Sequence, residues 1–240
     1  MIKKGVVTHI KFPMQFEEEK LMKDLAILLD KKWQPHFNTN GYEGEWTIIP
    51  LYAPKGDENN IWALSHNNEN LPVETALLKL CPYFKEVIDS FKFPIVTARI
   101  LKLNEGAFIK THTDHELGYE DHTFRLHIPI TTNNLVEFIL NEERLTMLPG
   151  DCWYTNVNYP HSVANRGNKD RVHLVIDGKR NEWSDELFFS MEPKERFIPP
   201  PPEDLSREAL EQVISELKTH NAPEIQQHIK KLEEKLKEYQ

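Results

Sequence analysis

The sequence predicts a mainly β protein: a sandwich or barrel core with flanking helices and a helical tail. Three observations predict it. Between residues 94 and 177, short runs of β-branched and aromatic residues follow one another closely, separated by turn residues. That spacing belongs to antiparallel β architecture and not to a parallel βαβ sheet. Ahead of this stretch lie two segments with helical apolar periodicity, and behind it Pro199-Pro-Pro-Pro202 stiffens a spacer leading into two more.

In chain order, residues 5–12 read as a short strand. Residues 16–32 read as a helix with Leu21, Leu25, Leu28 and Leu29 at helical spacing and Glu17, Glu18 and Glu19 in its first turn, where acids suit the helix dipole. Trp33-Gln-Pro-His36 ends that helix, because the residue before proline is pushed out of the α region. A turn-rich segment, a strand at 46–52 and a polar loop at 54–70 carrying Trp62 follow. Residues 72–91 read as one helix with an apolar stripe from Leu77, Leu78 and Leu80 through Tyr83, Phe84, Val87 and Ile88 to Phe91. Strands are then expected at 95–103, 107–111, 124–131, 136–140, 152–155 and 171–176, with turns at Asn104-Glu-Gly106, Asn133-Asn134 and Pro149-Gly150. In the tail, Leu210, Val213, Ile214 and Leu217 mark one helix. Asn221-Ala-Pro-Glu224 caps a second, marked by Ile225, Ile229, Leu232, Leu236 and Tyr239. The expected organisation is a domain at 1–192, a Pro-rich spacer at 193–204 and a helical hairpin at 205–240. The hairpin is expected to pack on the barrel; a homodimer contact through it is the alternative.

A chain of 240 residues, 39% hydrophobic, is ample for one core. Its net charge of -9, without a basic run, argues against nucleic acid as a partner. No apolar stretch approaches membrane-spanning length, and the N-terminus has no secretory h-region. Cys81 and Cys152 are the only cysteines and form no CxxC pair, so a cytoplasmic location is expected.

Two clusters carry the chemistry: Thr111-His-Thr-Asp-His115 and Tyr159-Pro-His-Ser162. Residues i and i+2 of an extended chain point to one side, so His112 and Asp114 can share a cation. His161 supplies a third ligand from a distant segment, completing the 2-His-1-carboxylate face that leaves open positions on a non-haem iron(II). Taken singly, Asp114 reads as a loop cap and His161 as a hydrogen-bonded loop histidine; the ordered set of three outweighs those readings. His115 is expected to face away from Asp114, toward solvent or near the substrate, and His122 to be exposed in its loop. In Phe124-Arg-Leu-His-Ile128 and Arg171-Val-His-Leu-Val175, Arg125, His127, Arg171 and His173 share one parity. They are expected to line the barrel interior, the competing reading being ordinary surface alternation. Arginine's planar fork takes a carboxylate through two parallel bonds. Arg171 is therefore expected to hold the far carboxylate of 2-oxoglutarate, assisted by Arg125 and His127. Arg99 shares a face with Leu101 and Leu103; it either pairs with an acidic side chain or receives a substrate carboxylate.

At these residues the chain resembles the aspartyl/asparaginyl β-hydroxylase family of iron(II)- and 2-oxoglutarate-dependent dioxygenases. The resemblance runs from about Trp33 to Asp177. It rests on Ala98-Arg-Ile-Leu-Lys-Leu103, Thr111-His-Thr-Asp114, Phe124-Arg-Leu-His-Ile128, Pro149-Gly-Asp151, Pro160-His161 and Arg171-Val-His-Leu-Val-Ile-Asp177. It implies a double-stranded β-helix, a cupin-like jelly roll of two sheets with iron between them. Because Asp114 stands at the carboxylate position, the chain looks closer to the branch that resembles proline cis-4-hydroxylases and acts on free amino acids. The resemblance thus implies Fe(II) and 2-oxoglutarate as cofactors and O2 with a small amino-acid-like carboxylate as partners. A hydroxylase of Asp or Asn side chains in a protein is the second reading. The third is a metal-binding cupin without oxygenase activity, although cupins usually carry His-x-His with a later glutamate.

Overall fold

The computed structural model describes residues 5–61 and 72–198, with isolated positions at 211, 214–215, 229–230, 233–234 and 236–237. The chain divides into two compact units, Val6–Ile198 and Met1–Gly5 with Pro199–Gln240. In the second unit the described positions from 211 onward are helical, with Ile214 and Ile229 buried. The hairpin as such, its cap at 221–224, the prolines at 199–202 and Trp62 lie outside the described residues.

The first unit opens with β1 (His9–Gln15), later than the expected strand, on the edge of a sheet. An edge position tolerates Pro13, which has no N–H to donate. α1 (Glu18–Leu28) buries Leu21, Asp24, Leu25 and Leu28. The short β2 (Gln34–Pro35) and β3 (Tyr42–Glu43) precede β4 (Trp46–Pro54). The single helix expected at 72–91 is in fact three pieces: β5 (Pro72–Glu74), α2 (Ala76–Lys79) and α3 (Pro82–Ser90). β5 pairs with β4, the Thr75 hydroxyl caps α2, and Pro82 can only begin a helix. Breaking the stripe there leaves Leu80 exposed.

The barrel strands follow as β6 (Ile95–Leu103), β7 (Phe108–His112), β8 (Thr123–Thr131), β9 (Val136–Leu140) and β10 (Glu143–Leu145). Then come β11 (Asp151–Thr155), β12 (His161–Asn165) and β13 (Arg171–Lys179). α4 (Glu182–Met191), for which no helix was expected, is capped reciprocally by Asn181 and Ser184. A 3-10 turn at Lys194–Phe197 buries Phe197, so the chain leaves this unit after Ile198 and not at Pro193.

The larger sheet runs β1-β11-β8-β13-β6-β4-β2 with β5 beside β4; the smaller runs β10-β9-β12-β7-β3. Every strand pair is antiparallel, in a jelly-roll arrangement. Buried apolar side chains form two clusters. In the first, α1, α3 and α4 cover Ile49, Leu51, Ala98, Ile100, Leu126, Ile128, Leu174 and Ile176 on one face of the larger sheet. In the second, Leu101, Leu103, Trp153 and Val175 on its other face meet Ile109, Phe138, Leu140 and Val163 of the smaller sheet. The larger sheet is therefore buried on both sides, and alternate residues of β6, β8 and β13 point into the space between the sheets.

The helical layer is tied together by one carboxylate. Asp24 on α1 is 2% exposed, and its Oδ2 accepts from the backbone N–H groups of Tyr83 (2.7 Å) and Phe84 (2.8 Å) at the start of α3. Asp24→Ala leaves two buried donors without an acceptor and is expected to cost roughly 2–4 kcal/mol. Chemical denaturation measures it; a loss under about 1 kcal/mol would mean that these donors find other partners.

Candidate metal and anion site between the sheets

β7 and β12 are neighbours, and their register sets His112 directly opposite His161, ring centroids 4.2 Å apart. Asp114 lies just past the end of β7, where its N–H donates to the Val157 carbonyl at 2.8 Å. One ligand atom from each of His112, Asp114 and His161 falls within 4.8 Å of the others, and among the described residues this is the one group of three that converges so. His115 and His122 are exposed, as expected.

The tautomers favour a metal. Nδ1 of His112 is 2.8 Å from the Lys110 carbonyl and Nδ1 of His161 is 3.0 Å from the Tyr159 carbonyl. A carbonyl only accepts, so each Nδ1 carries a proton, and in the neutral tautomer the lone pair is on Nε2. Burial, and then His112, push His161 down to about 4, so it is neutral at physiological pH. Burial alone would raise the Asp114 carboxyl, but Arg125, His161 and His112 outweigh it and hold it at about 2. Two imidazoles and one carboxylate are a donor set that fits a divalent first-row metal.

The inward residues of the larger sheet face this triad. Arg125, His127, Arg171 and His173 are all buried, as their shared parity predicts. Arg171 is 2% exposed, and among the described residues no carboxylate contacts it and its Nε has no partner: Nη2 donates to Nδ1 of His173 at 3.1 Å, and the guanidinium lies 5.7 Å from the Phe138 ring centre. Burial alone lowers Arg171 to about 9, which still leaves it a cation at neutral pH. His127 is buried with neither ring nitrogen bonded, and burial together with Arg171 keeps it neutral.

Arg125 departs from its expected role beside the cosubstrate. Its Nη1 donates to Asp114 Oδ2 at 2.5 Å, and its Nε and Nη2 donate to Asp177 at 2.7 and 3.1 Å. Two carboxylates occupy the fork, so little of it is left for a third. Arg99 takes the first of its two expected roles: Nη2 pairs with Asp177 Oδ2 at 2.9 Å, although the side chain also lines the cavity. Asp177, wholly buried, was missed as a site residue; its signal was the parity it shares with Arg171 and His173 on β13.

The wall from the N-terminal third was also missed. His36, Phe37, Asn38 and Trp46 line the same cavity as the triad and Arg171. His36 stacks on Trp46 with ring centroids 3.4 Å apart, and its Nδ1 accepts from the Asn38 N–H at 3.3 Å. Its proton must then sit on Nε2. Burial, reinforced by Arg99, lowers it to about 3, so it is a neutral hydrogen-bond donor on the cavity wall.

Fold and site together define a jelly-roll protein with a two-histidine, one-carboxylate cluster opposite a buried, unpaired guanidinium. Residues 15–181 match the family described as aspartyl/asparaginyl beta-hydroxylase, and the chain belongs to that family. It is 28% identical over 213 residues to an L-proline cis-4-hydroxylase of Rhizobium meliloti (strain 1021), covering 86% of this chain and 74% of that protein. It is 27% identical over 178 residues to L-proline cis-3-hydroxylase 2 of Streptomyces sp, of whose length the match spans 59%. Among solved structures, an oxidoreductase of the 2OG-Fe(II) oxygenase family from Burkholderia pseudomallei superposes with a TM-score of 0.51 at 14% identity. The superposition covers 75% of this chain and 95% of that one, which establishes likeness of fold. Among the described residues no helix is long and apolar enough to cross a membrane.

The tautomers are directly testable. Nitrogen-15 histidine spectra of the metal-free protein should show His112 and His161 protonated on Nδ1 and His36 on Nε2. A proton on Nε2 of either His112 or His161 would contradict the site geometry.

Proposed function

We propose that the protein is an Fe(II)- and 2-oxoglutarate-dependent dioxygenase that hydroxylates an unactivated C–H of a small, amino-acid-like acid. The observation that carries the reading is Arg171, a buried cation with no carboxylate partner, in one cavity with the converged His112, Asp114 and His161. Leaving such a group unpaired costs several kcal/mol, so its retention points to an anion that arrives from outside. The family membership and the proline hydroxylases it is similar to support the same reading.

In this reading His112, Asp114 and His161 hold iron, and Arg171 takes the distal carboxylate of the keto acid through its fork. When bound, iron(II), 2-oxoglutarate and O2 together supply the oxidising power that adds one oxygen atom to the substrate, releasing succinate and CO2. The chain supplies position and exclusion of water. Leu101, Ile109, Phe138 and Val163 make the cavity's apolar lining, which strengthens each charge interaction inside it. Trp46 and the Nε2–H of His36 offer a flat face and a neutral donor to whatever lies opposite the triad.

Charge balance bears on the substrate. Arg99, Arg125 and Arg171 face Asp114 and Asp177, which leaves one positive charge. A divalent metal and a dianionic keto acid cancel each other, so that charge persists until a mono-anionic substrate enters. A free amino or imino acid brings such a carboxylate.

The test is a panel of free amino acids with Fe(II) and 2-oxoglutarate, read by succinate release and by a product heavier by one oxygen atom. One or more acids should stimulate succinate formation. Succinate without any small-molecule product moves the substrate to a protein side chain, and no dependence on 2-oxoglutarate leaves only a metal-binding cupin. Arg171→Ala should raise the 2-oxoglutarate concentration for half-maximal turnover by roughly ten- to a hundredfold, the worth of a charge-assisted bidentate contact. An unchanged requirement places the anchor elsewhere.

A further inference from the structure

Resting on the metal site proposed above, we infer that Arg125, itself held by Asp177, is a positioning residue that makes Asp114 a one-oxygen ligand. The two carboxylate oxygens of Asp114 face different partners. Oδ2 takes a 2.5 Å hydrogen bond from Arg125 Nη1, whereas Oδ1 is the oxygen turned to the imidazoles, 3.8 Å from His112 Nε2. The charge-assisted bond turns Oδ2 toward Arg125 and presents Oδ1 on the side of His112.

Among the described residues, Arg125 is the side chain that donates to that carboxylate. Asp114 lies two residues past His112, the last residue of β7, and among the described residues its polar contacts are the backbone N–H to Val157, Arg125 and the facing histidine. Arg125, by contrast, is the third residue of the nine-residue β8 and is 7% exposed. Its other nitrogens are pinned by Asp177, the register partner of Arg125 across β13, through bonds of 2.7 and 3.1 Å. Asp177 is in turn fixed by Arg99 at 2.9 Å and by the Thr97 hydroxyl at 3.0 Å. The chain Thr97/Arg99–Asp177–Arg125–Asp114 therefore carries the rigidity of three central strands to a residue that lies beyond a strand end. Without Asp177, Arg99 and Arg125 would face each other as two buried cations.

The consequence is for coordination number. A carboxylate that binds through both oxygens takes a fourth position on an octahedral metal, one that a chelating keto acid and O2 need between them. Holding Oδ2 away keeps three positions free.

The experiment measures Mn(II) affinity by electron paramagnetic resonance, and the visible spectrum of the Co(II)-loaded protein, for wild type, Asp114→Ala, Arg125→Met, Arg125→Lys and Asp177→Asn. Melting curves without metal report which variants fold. Arg125→Met should bind Mn(II) ten- to a hundredfold more weakly, the usual scale when a group supporting a metal ligand is lost. Its Co(II) spectrum should change with the altered coordination. Arg125→Lys keeps a cation near Asp114 but cannot fork across to Asp177, and is expected between wild type and Arg125→Met. Asp177→Asn should move in the same direction as Arg125→Met. Wild-type affinity and spectrum in the folded Arg125→Lys and Asp177→Asn proteins overturn the inference, even if Arg125→Met does not fold. Wild-type Mn(II) binding by Asp114→Ala would instead overturn the metal site itself.

Discussion

The structure depends first on the register between β7 and β12. These strands place His112 and His161 opposite each other from segments far apart in sequence. Side chains alternate with a period of two, and a one-residue irregularity between His161 and Val163 shifts the pairing so that His112 comes opposite His161. The far end of β12, beyond that irregularity, is anchored separately. Asn165 is buried, and its Nδ2 donates to the carbonyls of Leu103, Asn104 and Lys169 at 3.1, 3.1 and 2.8 Å. Its backbone exchanges hydrogen bonds with the start of β7 through Ala107 and Gly106.

A second constraint decides which part of the molecule can be polar. The helices bury one face of the larger sheet in a continuous apolar cluster that includes Phe84, Phe124, Leu126, Leu174 and Phe188. At about 25 cal/mol per Å² of apolar surface, this layer supplies much of the driving force for folding, which relieves the space between the sheets of that duty. Arginines and histidines can then occupy the interior, provided that each charge is met. Asp177 meets two of them, Arg99 and Arg125, and Arg171 is the one left over. The histidines beside them are neutral for the same reason: burial and the neighbouring guanidiniums both oppose a further positive charge on His36, His127 and His173.

How much of this was legible in the sequence follows from the range over which each signal acts. Alternation is local, so β6, β8, β9 and β13 were placed closely, and the shared parity of Arg125, His127, Arg171 and His173 correctly put them inside. β12 went unread because its five residues, with His161, Ser162 and Asn165 among them, look like a loop until β7 and β9 bracket them. α4 was missed although Asn181 and Ser184 cap it, because only a sparse set of apolar residues marks its buried side. The expected helix at 72–91 ran through Pro82, a local stop that the apolar stripe obscured. In the site, the role of Arg125 could not be read at all. Whether a guanidinium waits for a ligand or is already paired depends on Asp114 and Asp177, which only the fold brings to it.

The same pairing explains why the two sheets divide the chemistry. The smaller sheet contributes His112 and His161 from adjacent strands, so its share of the site is a cluster of lone pairs. The larger sheet contributes Arg99, Arg125 and Arg171 from β6, β8 and β13, so its share is positive charge. Facing sheets pack about 10 Å apart, and each side chain spans part of that gap. On the proposed reading, a molecule touching both a metal on one sheet and Arg171 on the other must be short, with an acidic group at each end. The length of a five-carbon keto diacid is then set by the thickness of the barrel interior, and the substrate is confined to what remains between Trp46, His36 and the triad.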